Sequence, residues 1–598
     1  MKDLRRLIPF FGPYRWQVLA GLVLVVVSTA ITSVIPWLLR QGIDAMGKAA
    51  PARTVWLVAA AIVGTSLIAG VMRYEMRSLM NGVSRWIEYD LRNDLYRHIE
   101  TLDAPYFART RTGDLMARLT NDLGAVRMAA GPAIMYLVNT IASGIFALVF
   151  MLRIDPRLTL LALLPMLALP VMTVRMGSAI HARFDAVQEH FSTLTTHAQE
   201  NLTGARIVRA YRQEAAEIER FGRLNEEYLV RNMALVRLYG TMHPLFSLLA
   251  GLGAAIVIGL GGALVIHGTI SVGSFVAFGL YLGLLTWPLI ALGWVINLFQ
   301  RGAASMARLG EILDARSTID STGAGLTHFP PATAGRSIEF RNVGFHYPTA
   351  AGVEPRWILR RINFSVPAGA TLGVVGATGS GKSALMDLIP RLYDPQEGQI
   401  LIDGVPIRDL SLAELRAEIG FVQQESLLFS DTVAANLGYG ASDPASVTWA
   451  ARAAQMESTI SSFPGGYETM LGERGINLSG GQKQRASLAR ALARKPAIVL
   501  LDDALSAVDT HTEAEILRQL RTALAGRTAV IASHRVSSIR HANSIIVLDD
   551  GHIVESGRHD ELMMAEGRYW SLLRRQQLVE SIEDADAGAL TSGSADER

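Results

Sequence analysis

At 598 residues the chain exceeds what one hydrophobic core usually organises, so two or more domains are expected. With 50% hydrophobic and only 18% charged residues, and a mean hydropathy of +0.26, it is not composed as a soluble globule and calls for membrane-embedded segments. A net charge of +2 without any Lys/Arg block argues against a nucleic-acid partner, and the absence of cysteine excludes disulfides, thiolate metal sites and cysteine nucleophiles.

The start, Met1-Lys2-Asp3-Leu4-Arg5-Arg6, is positive like that of a signal peptide. The apolar run after it is too long for one and has no small-residue cleavage pattern, so it reads as a retained span. A bilayer-crossing helix needs about 20 apolar residues, because lipid offers no partner to exposed backbone groups. Stretches at 16–39, 54–72, 128–152 and 158–174 supply four such helices. The charge-free run from Leu238 to Gln300 supplies two more, at 244–266 and 275–299, with His267-Gly268-Thr269-Ile270-Ser271-Val272-Gly273-Ser274 as the turn between them. Pro36, Pro165, Pro170 and Pro288 predict kinks within the spans.

Short and long connections alternate, and the long ones hold most of the cations. Lys2, Arg5, Arg6 and Arg15 precede the first span, and Arg85, Arg92, Arg97, Arg109, Arg111 and Arg118 fall between the second and third. The positive-inside tendency places both segments in the cytoplasm, together with everything after the sixth span. The long connections are regularly apolar and predict helical extensions of the spans beyond the bilayer. They turn back near Arg118-Leu119-Thr120-Asn121-Asp122 and near Thr203-Gly204-Ala205-Arg206-Ile207-Val208-Arg209-Ala210-Tyr211. Periodicity alone reads these turns equally well as solvated helix ends or as docking segments.

Residues 302–336 lose hydrophobicity and end in Thr322-Gly323-Ala324-Gly325 and Pro330-Pro331, the pattern of a linker. A membrane domain over 1–301 and a soluble domain over 337–577 follow from this division. The acidic, Ala/Ser/Gly-rich tail, 578–598, reads as disordered.

In the soluble part, Gly376-Ala377-Thr378-Gly379-Ser380-Gly381-Lys382-Ser383 follows the strand-like run Thr371-Leu372-Gly373-Val374-Val375 and opens the helical pattern Ala384-Leu385-Met386-Asp387-Leu388-Ile389. This is the context a phosphate loop requires. Glycines let backbone N–H groups converge on phosphates, the helix N-terminus adds positive potential, Lys382 neutralises the outer phosphates and the Ser383 hydroxyl ligates Mg²⁺. A second apolar strand, Ala497-Ile498-Val499-Leu500-Leu501, ends in Asp502-Asp503, where Asp502 suits the Mg²⁺ shell.

Between these elements stands Leu478-Ser479-Gly480-Gly481-Gln482, followed by a helical pattern with Arg485 and Arg490. With these motifs in this order the chain resembles the ATP-binding cassette superfamily, specifically half-size exporters of the multidrug or lipid type, over nearly its whole length. The resemblance implies a six-span α-helical transmembrane domain with long cytoplasmic helical extensions, followed by an α/β P-loop nucleotide domain. It also implies that Tyr347 stacks on adenine and that Gln424, in Phe421-Val422-Gln423-Gln424-Glu425, senses Mg²⁺ and the attacking water. Ser506-Ala507-Val508-Asp509 becomes an inter-subunit loop, and His534 in Ala532-Ser533-His534-Arg535 a contact to the γ-phosphate. Members of this family sandwich ATP between the phosphate loop of one subunit and the signature of the other. Ser479, Gly480, Gly481 and Gln482 would therefore act on ATP bound by a partner. The two cytoplasmic turns become coupling helices, and Leu471-Gly472-Glu473-Arg474-Gly475 looks like the segment that meets them.

The chain departs from the family pattern at one position. Asp503 stands where the family has a glutamate that polarises the attacking water. One methylene fewer withdraws the carboxylate by about 1.5 Å, and phosphoryl transfer depends mainly on positioning. Slow hydrolysis is expected at this chain's own phosphate loop. With the signature intact, the pattern fits one member of a heterodimer whose partner carries the glutamate, the alternative being a homodimer in which aspartate serves. The expected function is ATP-driven export of amphipathic or hydrophobic drugs or lipids across the cytoplasmic (inner) membrane by alternating access. A homodimeric lipid flippase, a peptide exporter or an ATP-gated regulator that does not transport would share the motifs. Tyr136, Asn139, Tyr281, Trp287, Trp294 and Asn297 are candidates to line a cavity, and equally candidates for packing or interfacial anchoring. No charged cluster is expected mid-span, which disfavours an ion pathway.

Overall fold

The computed structural model describes residues 2–319, 328–329, 335–349, 352, 354–441, 443–472, 475, 477–508 and 510–578. After two short helical segments, Lys2–Leu7 and Ile8–Phe11, the helices in chain order are α1 Arg15–Gly47, α2 Ala52–Ile99, α3 Ala104–Arg109, α4 Thr112–Ile154, α5 Pro156–Leu163, α6 Ala168–Thr203, α7 Ala205–Ala210, α8 Glu214–Ile266 and α9 Val272–Asp314. Two compact units form: one takes in the chain up to Leu102 and Thr110–Arg316, the other Asp103–Arg109 and the chain from Ser317 onward.

In the first unit α1, α2, α4 and α8 are each long and apolar enough to cross a membrane. The α5 and α6 segments make a further pair, bent by 41° where Pro165 interrupts the hydrogen-bond ladder. In α9 the apolar stretch is shorter, Val272–Leu285. Pro36 and Pro288 lie inside helices that continue through them. The 48 residues of α2 extend about 72 Å, more than twice the roughly 30 Å of hydrocarbon, so the helix continues well past the bilayer. Its distal half buries Met76, Met80, Val83, Ile87, Leu91, Leu95 and Ile99 at helical spacing, one stripe packed on α4 and α9. Close crossing needs small residues: a Cβ at Gly131 of α4 would lie 2.7 Å from the Met80 carbonyl oxygen, and one at Gly302 of α9 would collide with Ala129 Cβ.

Two expectations are corrected here. The first reversal, expected at residues 118–122, is not there: these residues stay inside α4 as a π-helical stretch. Asp122, read as a turn former, is buried and accepts hydrogen bonds from Ser305 Oγ (2.8 Å) and Arg308 Nε (2.9 Å) of α9. The chain instead reverses around α3, where Asp103 accepts from Thr318 Oγ1 at 2.6 Å. The second reversal is the short helix α7, as the sequence implied. Nor does a linker begin at residue 302. Helix α9 runs to Asp314, because Ala303, Met306, Leu309 and Ile312 keep a buried face at three-residue spacing.

The second unit holds strands β1 Ile338–Phe345, β2 Leu359–Val366, β3 Thr371–Gly376, β4 Glu397–Ile402, β5 Val405–Pro406, β6 Ile419–Val422, β7 Ile498–Asp502, β8 Thr528–Ser533, β9 Ser544–Asp549 and β10 His552–Gly557. An antiparallel sheet runs β2-β1-β4-β5, and a six-stranded sheet runs β10-β9-β3-β8-β7-β6. In the latter, β9, β3, β8, β7 and β6 are parallel and β10 is an antiparallel edge. The parallel strands are almost continuously apolar, as a sheet covered on both faces requires, and β7 is buried throughout. The helices that matter for the site are α10 Lys382–Leu388, α11 Gly480–Ala493 and α12 Thr510–Ala523. Of the acidic tail, 578–598, residue 578 ends a helix and residues 579–598 lie outside the described residues.

Candidate functional site

In an open parallel sheet, ligands gather beyond the carboxyl ends of the strands. Here β3 ends in the glycine loop, β7 in Asp502, β8 immediately before His534 and β6 two residues before Gln424. The four neighbouring strands β3, β8, β7 and β6 thus bring four sequence-distant motifs to one edge.

The loop itself needs its glycines. Gly379 and Gly381 hold φ of +83° and +105°, in the left-handed region that glycine enters without strain. A Cβ at Gly376 would fall 2.6 Å from Ser380 Oγ. Lys382, the first residue of α10, is buried and donates through Nζ to the carbonyls of Gly376 (2.9 Å) and Ala377 (3.1 Å). Burial pulls its pKa below the usual lysine range, while the charges of Asp503 and Asp502 work against that shift. Burial pushes the Asp502 carboxyl up, with the Asp503 charge adding to it and a hydrogen bond with Ser383 opposing it. Asp387, one turn along α10, is pushed up to about 6 by burial and by the Asp502 charge.

At this loop and strand end, Ser380 Oγ and Asp502 Oδ1 are buried polar atoms without a hydrogen-bond partner among the described residues. Such atoms are costly unless something else satisfies them. Together with the hydroxyl of Ser383 and the surrounding carboxylates, they fit a Mg²⁺-bound triphosphate. Among the described residues no group of three acidic, His or Cys side chains forms a metal cage. Mg²⁺ typically takes one or two carboxylates and fills its remaining positions with phosphate oxygens and water.

Asp503 is buried and backbone-strained, with φ of +44°. Its carboxylate is held twice by one residue: Oδ1 accepts from the His534 backbone N–H at 2.9 Å, and Oδ2 lies 3.1 Å from His534 Nε2. The other ring nitrogen of His534 is 3.4 Å from Lys382 Nζ. A device the sequence did not reveal surrounds this pair. Gln576, on the C-terminal helix at 568–578, accepts from Val536 N–H at 3.0 Å and donates to the His534 carbonyl. Nothing in the motif spacing marks Gln576.

Ser479 caps α11. Its Oγ accepts from Gln482 N–H (3.3 Å) and its own N–H donates to Gln482 Oε1 (2.9 Å), a reciprocal capping box. Gly480 and Gly481 lie close to the loop after β7, where a Cβ at Gly481 would sit 2.8 Å from the Ala507 carbonyl oxygen. The exposed start of α11 presents free N–H groups and the positive end of the helix dipole, the chemistry of an anion site. Gln484 joins α11 to the loop that follows β7. Its Nε2 donates to the Asp503 carbonyl (3.3 Å) and to Ser506 Oγ (2.9 Å), and its Oε1 accepts from Ala507 N–H (2.9 Å).

Tyr347 stands beside Phe345 and Tyr393, with ring centroids 5.0 and 5.2 Å away, and is partly exposed. Gln424 is exposed. Asp509, Glu473 and Arg474 lie outside the described residues. In the first unit, Tyr136 and Asn139 line a cavity of about 350 Å³. Tyr281 does not: it is buried, with its hydroxyl donating to the Ser33 carbonyl at 2.9 Å. Trp294 packs edge-on against Tyr136, and Asn297 pairs with His181 at 3.1 Å. The Trp287 side chain lies outside the described residues.

Residues 18–289 match the ABC transporter transmembrane region, and residues 359–506 match the ABC transporter domain. The chain is 37% identical to the probable multidrug resistance ABC transporter ATP-binding/permease protein YheI of Bacillus subtilis, over 98% of this chain and 99% of that one. It is 36% identical to the multidrug resistance-like ATP-binding protein MdlA of Escherichia coli (95% and 96% covered) and 35% identical to the ATP-dependent lipid A-core flippase of Syntrophus aciditrophicus (96% and 95%). Its structure resembles that of a bacterial Atm1-family ABC exporter solved with ATP bound, at a TM-score of 0.76 and 27% identity, covering 94% of this chain and 98% of the other. A helical membrane domain joined to a phosphate loop, a signature helix and a strand-end carboxylate is thus matched along nearly the whole chain, which belongs to the ABC transporter family as a half-size exporter, an integral membrane ATPase that couples ATP to transport.

Proposed function

We propose that this chain is the ATP-holding subunit of a heterodimeric exporter of drugs or lipids in the cytoplasmic membrane. Its own phosphate loop hydrolyses slowly, and its signature completes the competent site of a partner that carries glutamate at the equivalent of Asp503. The observation that carries the reading is the Asp503 carboxylate itself: one methylene short, and held by both the backbone N–H and the ring of His534. The names of the relatives, multidrug resistance proteins and a lipid A-core flippase, favour amphipathic or lipidic cargo.

In this reading the glycine loop and Lys382 bind the phosphates, while Thr378, Ser380 and Ser383 orient them. Ser383, Asp502 and Gln424 hold Mg²⁺, which screens the phosphate charge. Tyr347 supports the base. On the other face, Ser479, Gly480, Gly481 and Gln482 close on the partner's nucleotide, and the loop carrying Ser506 and Asp509 meets the partner. Membrane-domain cavities reopen outward as the paired nucleotide domains close.

The test is the ATPase rate of the purified chain alone, before and after Asp503→Glu. A slow wild type that gains about 10-fold to 100-fold supports the proposal, since misplacing a catalytic group by ~1 Å costs on that order. Rapid turnover by the isolated wild type, unchanged by Asp503→Glu, overturns it in favour of a homodimer in which aspartate serves.

A further inference from the structure

The turn that carries His534 is fastened by residues far from it in sequence. Strand β8 ends at Ser533, and a short helix, Val536–Ile539, follows with Arg535 as its N-cap and no side-chain capping bond. A helix start leaves its first N–H groups without partners inside the helix. Gln576 fills that gap from 40 residues away: its Oε1 accepts from the Val536 N–H at 3.0 Å, and its Nε2 donates to the His534 carbonyl. One primary amide thus grips the backbone on both sides of Arg535, using an acceptor and a donor at once.

Gln576 is itself firmly placed. On the helix at 568–578, Tyr569, Leu572, Leu573 and Gln576 recur at three- and four-residue spacing and share a face. Tyr569 is fully buried in an apolar cluster with Val375 of β3, Val536 and Ile539, and Leu572 and Leu573 pack against the same cluster. The Tyr569 N–H donates to Glu555 at 3.0 Å, and its hydroxyl pairs with His559 Nδ1 at 2.7 Å. The first two turns of the helix are seated in this way, and the third delivers Gln576 to the His534 turn. A second grip comes from Glu513, buried on α12, which accepts from Arg535 Nη1 at 2.5 Å and from Ser538 Oγ at 2.6 Å. The two grips differ in what they hold. Glu513 takes side chains of the turn, whereas Gln576 takes its backbone.

The backbone grip is the one that reaches the nucleotide. The His534 ring lies between Lys382 Nζ, 3.4 Å away, and Asp503 Oδ2, 3.1 Å away. Only two torsions separate that ring from its Cα, so its place follows the backbone, and a catalytic or binding group misplaced by ~1 Å loses much of its effect. Lys382 is the cation that serves the outer phosphates, so a ring beside its Nζ stands where ATP has a phosphate and ADP has none.

We infer that Gln576 is a positioning residue that presents His534 to the terminal phosphate, so that the C-terminal helix sets this site's preference for ATP over ADP. This rests on the reading of the glycine loop as an ATP-holding site, and it applies whether the partner is a second copy or a different chain.

The test measures affinities of the full-length transporter in nanodiscs for Mg²⁺-bound ADP and for AMP-PNP, an ATP analogue that resists hydrolysis, by competition with a fluorescent nucleotide. Gln576→Ala is expected to weaken AMP-PNP binding about threefold to tenfold and to leave ADP unchanged. His534→Ala should do likewise, and the double variant should fall no further than His534→Ala alone, because residues acting through one another are not additive. Equal losses for both nucleotides in Gln576→Ala would mark a structural role only and overturn the inference. An unchanged preference overturns it as well, as does a Gln576→Ala effect that persists in full when residue 534 is already alanine. Should Gln576→Ala not fold, Gln576→Glu carries the comparison: it keeps the acceptor for the Val536 N–H, loses the donor to the His534 carbonyl, and is expected to lose the same preference. If His534→Ala leaves the preference intact, the inference falls while the ATP-holding reading stands. If the wild type binds neither nucleotide, both fall.

Discussion

At residue 503 the backbone and the chemistry pull in different directions. Aspartate is among the few non-glycine residues that tolerate a left-handed conformation, and φ there is +44°. A glutamate has less local compensation at such a φ, so Asp503→Glu is expected to cost up to about 1 kcal/mol of stability while raising turnover, a trade visible as a lower Tm beside a higher rate. Lys382 supplies a complementary test. It is the buried cation within reach of both the loop carbonyls and the strand-end carboxylates, and Lys382→Ala should strip nucleotide from this chain's own site, read by equilibrium binding of a fluorescent ATP analogue. Unchanged occupancy there would count against the site assignment. These residues were legible in the sequence because strand, loop and helix signals coincide within a few positions. Gln576 was not, since nothing in the motif spacing marks a glutamine on the helix at 568–578 as the partner of His534 and Val536.

Elements were legible where periodicity is long and misread where a single polar residue was taken as punctuation. Asn121-Asp122 looks like a turn, yet Asp122 is the acceptor that ties α4 to α9 through Ser305 and Arg308. Burial works to raise its pKa, and the hydrogen bonds from Arg308 and Ser305 outweigh that, holding the carboxyl below its usual range. Asp122→Ala should therefore destabilise the helical extensions by roughly 1–3 kcal/mol, discounted because Arg308 is half exposed, and a Tm shift by scanning calorimetry would register it. Gly302, in a pattern that reads as the start of a linker, is a crossing point where α9 touches Ala129. Gly131 follows the same logic against Met80 and Ser84, and Gly131→Val should be more disruptive than any exposed substitution on α4.

For the whole molecule, composition and motif order were enough to divide the chain into a membrane part and a nucleotide part. They were not enough to place the boundary. Residues 103–109 belong with the second unit although they lie two hundred positions upstream of it, and no local signal encodes that long-range attachment. The pairing of subunits sits at this scale as well. Co-expressed with a glutamate-bearing partner, Gln484→Ala in this chain should lower the ATPase of the complex by several-fold, because it loosens the signature helix from the loop at Ser506 and Ala507. An unaltered rate in the assembled complex would show that Gln484 serves this chain's fold alone.

That one glutamine amide has a consequence for timing. By gripping the carbonyl of Asp503 and sitting on the helix that opens with Ser479, it makes the strand end at one nucleotide and the cap over another parts of a single rigid piece. Within the proposed heterodimer, the occupied or vacant state of this chain's slow site would pass through this glutamine to the posture of the signature helix, and from there to the partner's turnover.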